Sequence, residues 1–198
     1  FLKEYKNTPK FKSQWFRCNF VWKDGKRDGE VEMVRTENGR FEIYAPNGIM
    51  PIPKEMRNSF NIRSGKKAPL NGHIAAIRVD PYTANRTQYG GSRQGIVGTT
   101  TNHHDLVEAL SDLTWLYYNF RGETFEEAVE DVIKCAMYFS IPILVETNKD
   151  ALIKELNKRD LRYFLLRNTY KKGLELTPDE RSLGGIYTSG ANTDKQEE

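Results

Sequence analysis

The chain has little of what fastens a fold from outside its own core. It carries two cysteines, Cys18 and Cys135, far apart and in neither a zinc-type nor a redox spacing, which argues against a disulfide framework and a dithiol active site. A reduced intracellular protein is the simplest expectation, with Cys135 on an apolar helix face and therefore in the core. No apolar run approaches the ~20 residues of a membrane span, and no charged segment followed by an apolar one opens the chain, so neither a transmembrane helix nor a secretory signal is expected. No Gly-x-x-x-x-Gly-Lys-Ser/Thr phosphate loop occurs; Gly65-Lys66-Lys67 is only a basic turn, and ATP hydrolysis is not expected. Charge of either sign is not in excess. Thirty Lys and Arg against 27 Asp and Glu leave +3, which permits contact with a polyanion without requiring it. No internal repeat is visible.

What the chain does have is a supply of aromatics, ten Phe, ten Tyr and three Trp, enough to build a core and to exclude a disordered chain. Its 198 residues suit one domain with attachments. It starts at Phe1 and ends in Thr193-Asp-Lys-Gln196-Glu-Glu, which reads as the capped start of a helix; a piece of something longer is expected.

Residues 1–72 read as a linker region with a β-hairpin attachment. Phe1, Leu2 and Tyr5 have helical spacing. From Asn19 the pattern turns to strands: Phe20-Val-Trp22 runs into Asp24-Gly25, then Val31–Val34 and Phe41–Tyr44 flank Asn38-Gly39, a hairpin signal because both turn residues tolerate positive φ. Residues 46–72, with four prolines, read as a loop.

Residues 73–198 read as the core. Ile74–Val79 is an apolar run closed by Asp80-Pro81, a buried strand that stops abruptly. Strands follow near Gln94–Thr99 and Trp115–Phe120. Thr124-Phe-Glu-Glu127 is a capping box, and Phe125, Ala128, Val129, Val132, Ile133, Ala136 and Met137 then form a continuous apolar helical face. Ile141–Val145 is a buried strand ending at Glu146. A helix starting near Thr147 turns Leu152, Ile153 and Leu156 inward and Lys154, Lys158 and Arg159 outward, and Arg162–Leu166 is a last strand. Three strands, helix, strand, helix, strand predict an antiparallel meander extended by right-handed crossovers, a mixed five-stranded α/β sheet flanked by helices.

Asp80 and Glu146 each directly follow a buried strand. If those strands are parallel neighbours, both carboxylates emerge side by side at the end where open α/β sheets gather ligands. Adjacent carboxylates repel unless a cation neutralises them, and hard oxygen donors suit Mg²⁺ or Mn²⁺. Two such ions roughly 4 Å apart can activate water and stabilise the leaving oxygen in phosphodiester cleavage. Alone, Asp80 begins an Asp-Pro turn and Glu146 caps a helix; together, in this element order, they favour a metal site.

Ile77-Arg-Val-Asp80-Pro-Tyr82, Ile143-Leu-Val-Glu146-Thr-Asn-Lys149 and Arg162-Tyr-Phe-Leu-Leu-Arg167 together resemble the C-terminal nuclease domain of the large terminase subunit of tailed phages. Phe1-Leu-Lys-Glu-Tyr5 through Arg17-Cys-Asn19 is similar to the linker joining the ATPase motor to that nuclease. The resemblance implies an RNase H-like (RuvC-like) fold and a two-metal Mg²⁺ or Mn²⁺ endonuclease that cuts concatemeric double-stranded DNA during packaging in the host-cell cytoplasm. Its implied partners are the portal protein, the small terminase subunit and the ATPase motor domain of the same parent chain. The family's first acidic residue falls on Asp80 and its second on Glu146. The third, on a later helix, has no match before Glu198, since Asp194, Glu197 and Glu198 stand at a helix start; the core is expected to be truncated there.

Asn148 and Lys149 are candidates to touch the scissile phosphate, or else are solvated first-turn residues. Arg63, Lys66 and Lys67, with Arg86 and Arg93, are candidates to track a DNA backbone, or a solvated face. His103-His104-Asp105 reads best as a surface loop. Nothing reads base edges, so little sequence specificity is expected. Two other readings stand beside the terminase one: an RNase H-like nuclease of the resolvase type, and a noncatalytic module docking portal or small subunit through the hairpin at Asn38-Gly39.

Overall fold

Cys18, Phe20 and Trp22 alternate with the more exposed Arg17, Asn19 and Val21, so β1 (Trp15–Trp22) starts earlier than its Phe-Val-Trp run suggests. A computed structural model describes residues 14–80, 94–101, 110–120, 124–145 and 150–166; the helical spacing of Phe1, Leu2 and Tyr5 falls outside them. The second half of β1 pairs antiparallel with β2 (Val31–Arg35), and its first half pairs antiparallel with β3 (Phe41–Tyr44). The hairpin expected between β2 and β3 therefore does not form, because β1 lies between them. Cys18 pairs with both Arg35 and Phe41, so residues 36–40 carry the chain across β1 at that point. There the Thr36 N–H donates to the Arg17 carbonyl at 3.1 Å and the Arg40 N–H to Asn19 Oδ1 at 2.9 Å. A Cβ on Gly39 would stand 2.3 Å from the Cys18 nitrogen. Gly39 serves a close backbone approach, not the tip of a turn.

The segment expected as a loop contains a hairpin of its own. β4 (Phe60–Arg63) and β5 (Lys66–Pro69) pair through Arg63↔Lys66 as a separate two-stranded sheet. Ser64 and Gly65 between them have φ of 49° and 74°, the two positive values a tight two-residue turn requires. The signal was present but sat between strands too polar to register as such.

β6 (Ala75–Asp80), β7 (Gln94–Thr100) and β8 (Thr114–Phe120) form the expected antiparallel meander, and β9 (Ile143–Val145) adds to β6 in parallel. β3 pairs with β8 through Phe41↔Tyr118 and Ile43↔Leu116. The sheet is therefore seven-stranded, not five, in the order β2-β1-β3-β8-β7-β6-β9. It is mixed and mostly antiparallel, in an α/β arrangement. Arg162–Phe164, expected as a strand, is a 3₁₀ turn, after which Leu165 makes one parallel bridge to Ile143. Leu161, Phe164 and Leu165 are its buried residues, a spacing of three to four that suits a helical turn and not a pleat.

α1 (Phe125–Phe139) starts as expected, with Thr124 Oγ1 accepting from the Glu127 N–H at 3.2 Å, and stops at Ser140 in the left-handed conformation. α2 (Asp150–Lys158) buries Leu152, Ile153 and Leu156. Among the described residues no helix is long and apolar enough to cross a membrane. Both cysteines are buried and free, and burial pushes the Cys18 thiol up to about 12.

α1 packs on an aromatic cluster drawn from both halves of the sheet. Trp115 meets Phe139 edge-on with ring centroids 4.7 Å apart, Phe20 meets Phe41 at 4.8 Å, and Phe41 meets Tyr118 at 4.6 Å. Burying each such ring contributes roughly 1.5–3 kcal/mol, with about 0.5–1.5 kcal/mol more per favourable pair. Two ionic clamps bind the N-terminal strands to α1. Arg40 reaches Asp131 at 2.8 Å and also Glu127, while the Tyr118 hydroxyl donates to Asp131 at 2.9 Å. Arg159, expected to face outward, has a side chain only 5% exposed; it pairs with Asp28 and, at 2.7 Å, with Glu130. The Trp22 indole N–H donates to Glu130 as well.

Two outcomes follow from this packing. Gly39→Ala drives a methyl group into the Cys18 backbone and should destabilise the chain at the upper end of the roughly 1–3 kcal/mol that overpacking costs, read as a lower midpoint in urea unfolding. Burial alone would raise the Glu130 carboxyl, but the Trp22 indole, Arg159 and Arg27 outweigh it and hold the group below the usual carboxylate range. A depressed folded-state pKa stabilises above the unfolded value of about 4.3, and that stability is lost as pH falls through the folded one. The gap in unfolding midpoint between the natural chain and Glu130→Gln should thus be widest near neutral pH and close below about pH 4; a gap that widens in acid contradicts the assignment.

Candidate functional site

β6 ends at Asp80 because Pro81 follows: a residue before proline is held extended, and proline brings no N–H to continue a ladder. Along β6 the side chains of Ala75, Ile77 and Val79 are buried, while Arg78 and Asp80 are exposed on the opposite face. Asp80 pairs with Gly95 of β7, and Gly95 pairs with Asn119 of β8. The three form one row across the sheet end, with Asp80 and Asn119 exposed. On the other side of β6, Val79 pairs in parallel with Val145, the last residue of β9. Glu146 is the next residue in the chain but lies outside the described residues.

The condition the sequence set for a carboxylate pair is therefore met as far as the strands go: β6 and β9 are parallel neighbours and end in register. Asp80 is an exposed hard oxygen donor, as Mg²⁺ or Mn²⁺ prefers. Among the described residues no group of three or more His, Cys, Asp or Glu converges to hold a metal ion; a metal at Asp80 would need donors from beyond them.

Lys66 and Lys67 are not brought to Asp80. Their hairpin packs against the 3₁₀ turn Arg162–Phe164, and Leu165, which follows that turn, bridges to Ile143 at the start of β9; Asp80 sits where β6 and β9 end. Lys66 pairs with Asp160 at 2.5 Å. Lys67 donates to the Asp28 carbonyl at 2.9 Å and lies over the Phe60 ring, and its partial burial lowers its pKa despite nearby Asp28. Its charge is committed inside the fold. Arg86, Arg93, His103, His104, Asp105, Asn148 and Lys149 lie outside the described residues.

A groove of about 510 Å³ runs from Asn119 past Phe120 and Tyr117 to Arg17 and Arg40. Sequence reasoning missed it, since its walls come from β1, the crossing at Gly39 and β8. Its cations are answered within the protein, Arg17 by Glu42 at 2.5 Å and Arg40 by Glu127 and Asp131. The groove borders the Asp80 row without adding free positive charge to it. No single motif could have announced these pairings, because Arg40 and Asp131 lie 91 positions apart and Arg159 and Asp28 131 apart. No family model, curated protein or solved structure matches the chain.

Proposed function

We propose that this chain carries an RNase H-like endonuclease core of the terminase large-subunit kind, cutting double-stranded DNA with little sequence preference and with Mg²⁺ or Mn²⁺. The observation that carries the reading is the parallel register Val79↔Val145, which brings two strands to a common end where Asp80 closes one and Glu146 follows the other. The strand order β8-β7-β6-β9 supports it. A three-stranded meander is extended in parallel through α1, and a residual bridge at Leu165 follows α2.

In this reading Asp80 and Glu146 hold the metal, and Asp80 is already solvent-facing and fixed by the β6–β7 ladder. Held there by Asp80 and Glu146, such ions would supply the means to activate water at neutral pH and to offset charge on the leaving oxygen. The chain's own task is positioning. The ladder through Gly95 sets the height of Asp80, and the buried Val79 and Val145 keep the two strand ends from sliding past one another.

A plasmid-nicking assay with Mn²⁺, on this chain and on one extended at its C-terminus, tests the assignment. Cutting should require the divalent ion and stop with chelator. Asp80→Asn and Glu146→Gln should each lower it by more than about 100-fold, since losing even an outer-shell partner of a metal ligand costs roughly 10–100-fold. Unchanged cutting by either variant removes the carboxylate assignment, and no cutting by either chain under any divalent ion removes the endonuclease.

A further inference from the structure

A cationic surface lies away from Asp80, on the β4–β5 hairpin. Arg63 and Lys66 form the last pair before its tight turn. The 3₁₀ turn Arg162–Phe164 sits against it, anchored by the fully buried Phe164, whose ring lies 6.1 Å from that of Phe60 on β4. Tyr163 is only half-buried. The Arg63 guanidinium stands 5.2 Å from its ring centroid and the Arg162 guanidinium 6.0 Å. Lys66 has Asp160 as a partner, but that carboxylate is 67% exposed. Among the described residues no acid pairs with Arg63 or Arg162. The Ser64 hydrogen bond, with Arg63, Arg162 and Lys66, holds the Tyr163 phenol below its usual range, in keeping with a positive local field. Beside the turn Ile62 is 70% exposed.

Gathering guanidiniums that no acid among the described residues answers around one ring costs self-repulsion that a polyanion would relieve. The Tyr163 ring gathers both guanidiniums within cation–π range, and planar guanidinium forks suit bidentate phosphate contacts. We propose that Arg63, Lys66, Arg162 and Tyr163 form a surface that grips the phosphate backbone of duplex DNA, separate from the carboxylate site. The choice of duplex DNA rests on the endonuclease reading; the surface itself does not need the metal site. Lys67, turned inward, is not part of it.

The test is fluorescence anisotropy of a labelled duplex of about 20 base pairs with the full chain in EDTA, across a salt series. Affinity should fall with salt, and the double variant Arg63→Ala/Arg162→Ala should bind at least about 10-fold more weakly, with the log–log salt slope reduced by nearly 2, about 0.9 per lost contact. Lys26→Ala, an exposed lysine in the β1–β2 turn, should change affinity by less than about 2-fold, as removal of a charge that touches no phosphate, and thermal unfolding should show all variants folded. Binding by the double variant within about 2-fold of the natural chain, an equal loss in Lys26→Ala, or no duplex binding at low salt overturns the proposal. Because chelator is present throughout, this result stands apart from the nicking assay: absence of cutting under any divalent ion would end the endonuclease reading and leave the binding surface intact.

Discussion

The pairing of β3 with β8 is the contact on which the rest of the molecule depends. Without it the sheet would be a three-stranded and a four-stranded piece, each with a naked edge and half an apolar face. Phe41↔Tyr118 and Ile43↔Leu116 close both edges at once and bring Phe20, Phe41, Tyr118, Trp115 and Phe139 into one cluster. Neither half holds enough of these rings alone. β3 can reach β8 only because Gly39 lets the chain cross β1 in contact with the Cys18 backbone. A missing side chain thus decides the connectivity of the whole sheet.

The ionic clamps follow from the same junction. Once β1 to β3 lie against α1, Asp131 is 4% exposed and would carry a heavy desolvation cost unpaired. Arg40 and the Tyr118 hydroxyl answer it, and the response is visible in Tyr118, whose phenol is pushed up by burial and by Asp131. Such pairs add little net stability over well-packed apolar residues, but breaking one strands a buried charge. They bear on which partner each strand accepts as much as on how tightly it is held. At the far side of the sheet the same logic leaves Asp80 in water: β6 buries Val79 and exposes the next residue, so the carboxylate is rigidly placed and still open to a ligand.

Much of the core half was legible. The period of α1, its Thr124 cap, the abrupt stop at Asp80-Pro81 and the apolar runs of β6 and β9 are local signals, and local physics decides them. The failures share one cause. Asn38-Gly39 has the composition of a hairpin turn, yet Gly39 is there for a neighbour 21 positions earlier. Arg162–Leu166 has the composition of a strand, yet Leu161, Phe164 and Leu165 are spaced for a helical turn under β4 and β5. Arg159 reads as a solvent-facing end of α2, yet Asp28 and Glu130 fold it inward. In each case a distant segment outweighed a correct local reading.

Asp80 shows where the division falls. By itself the sequence determined that a carboxylate would end a buried strand, because an apolar run followed by Asp-Pro has no other extended solution. It determined likewise that a second apolar run would end just before Glu146. Only the tertiary structure decided that these strands are parallel neighbours in register, and that Lys66 and Lys67 lie away from Asp80, with their hairpin where β9 begins. Strand pairing and the pairing of charges across the fold depend on which surfaces meet once loops close, and no residue carries that information alone.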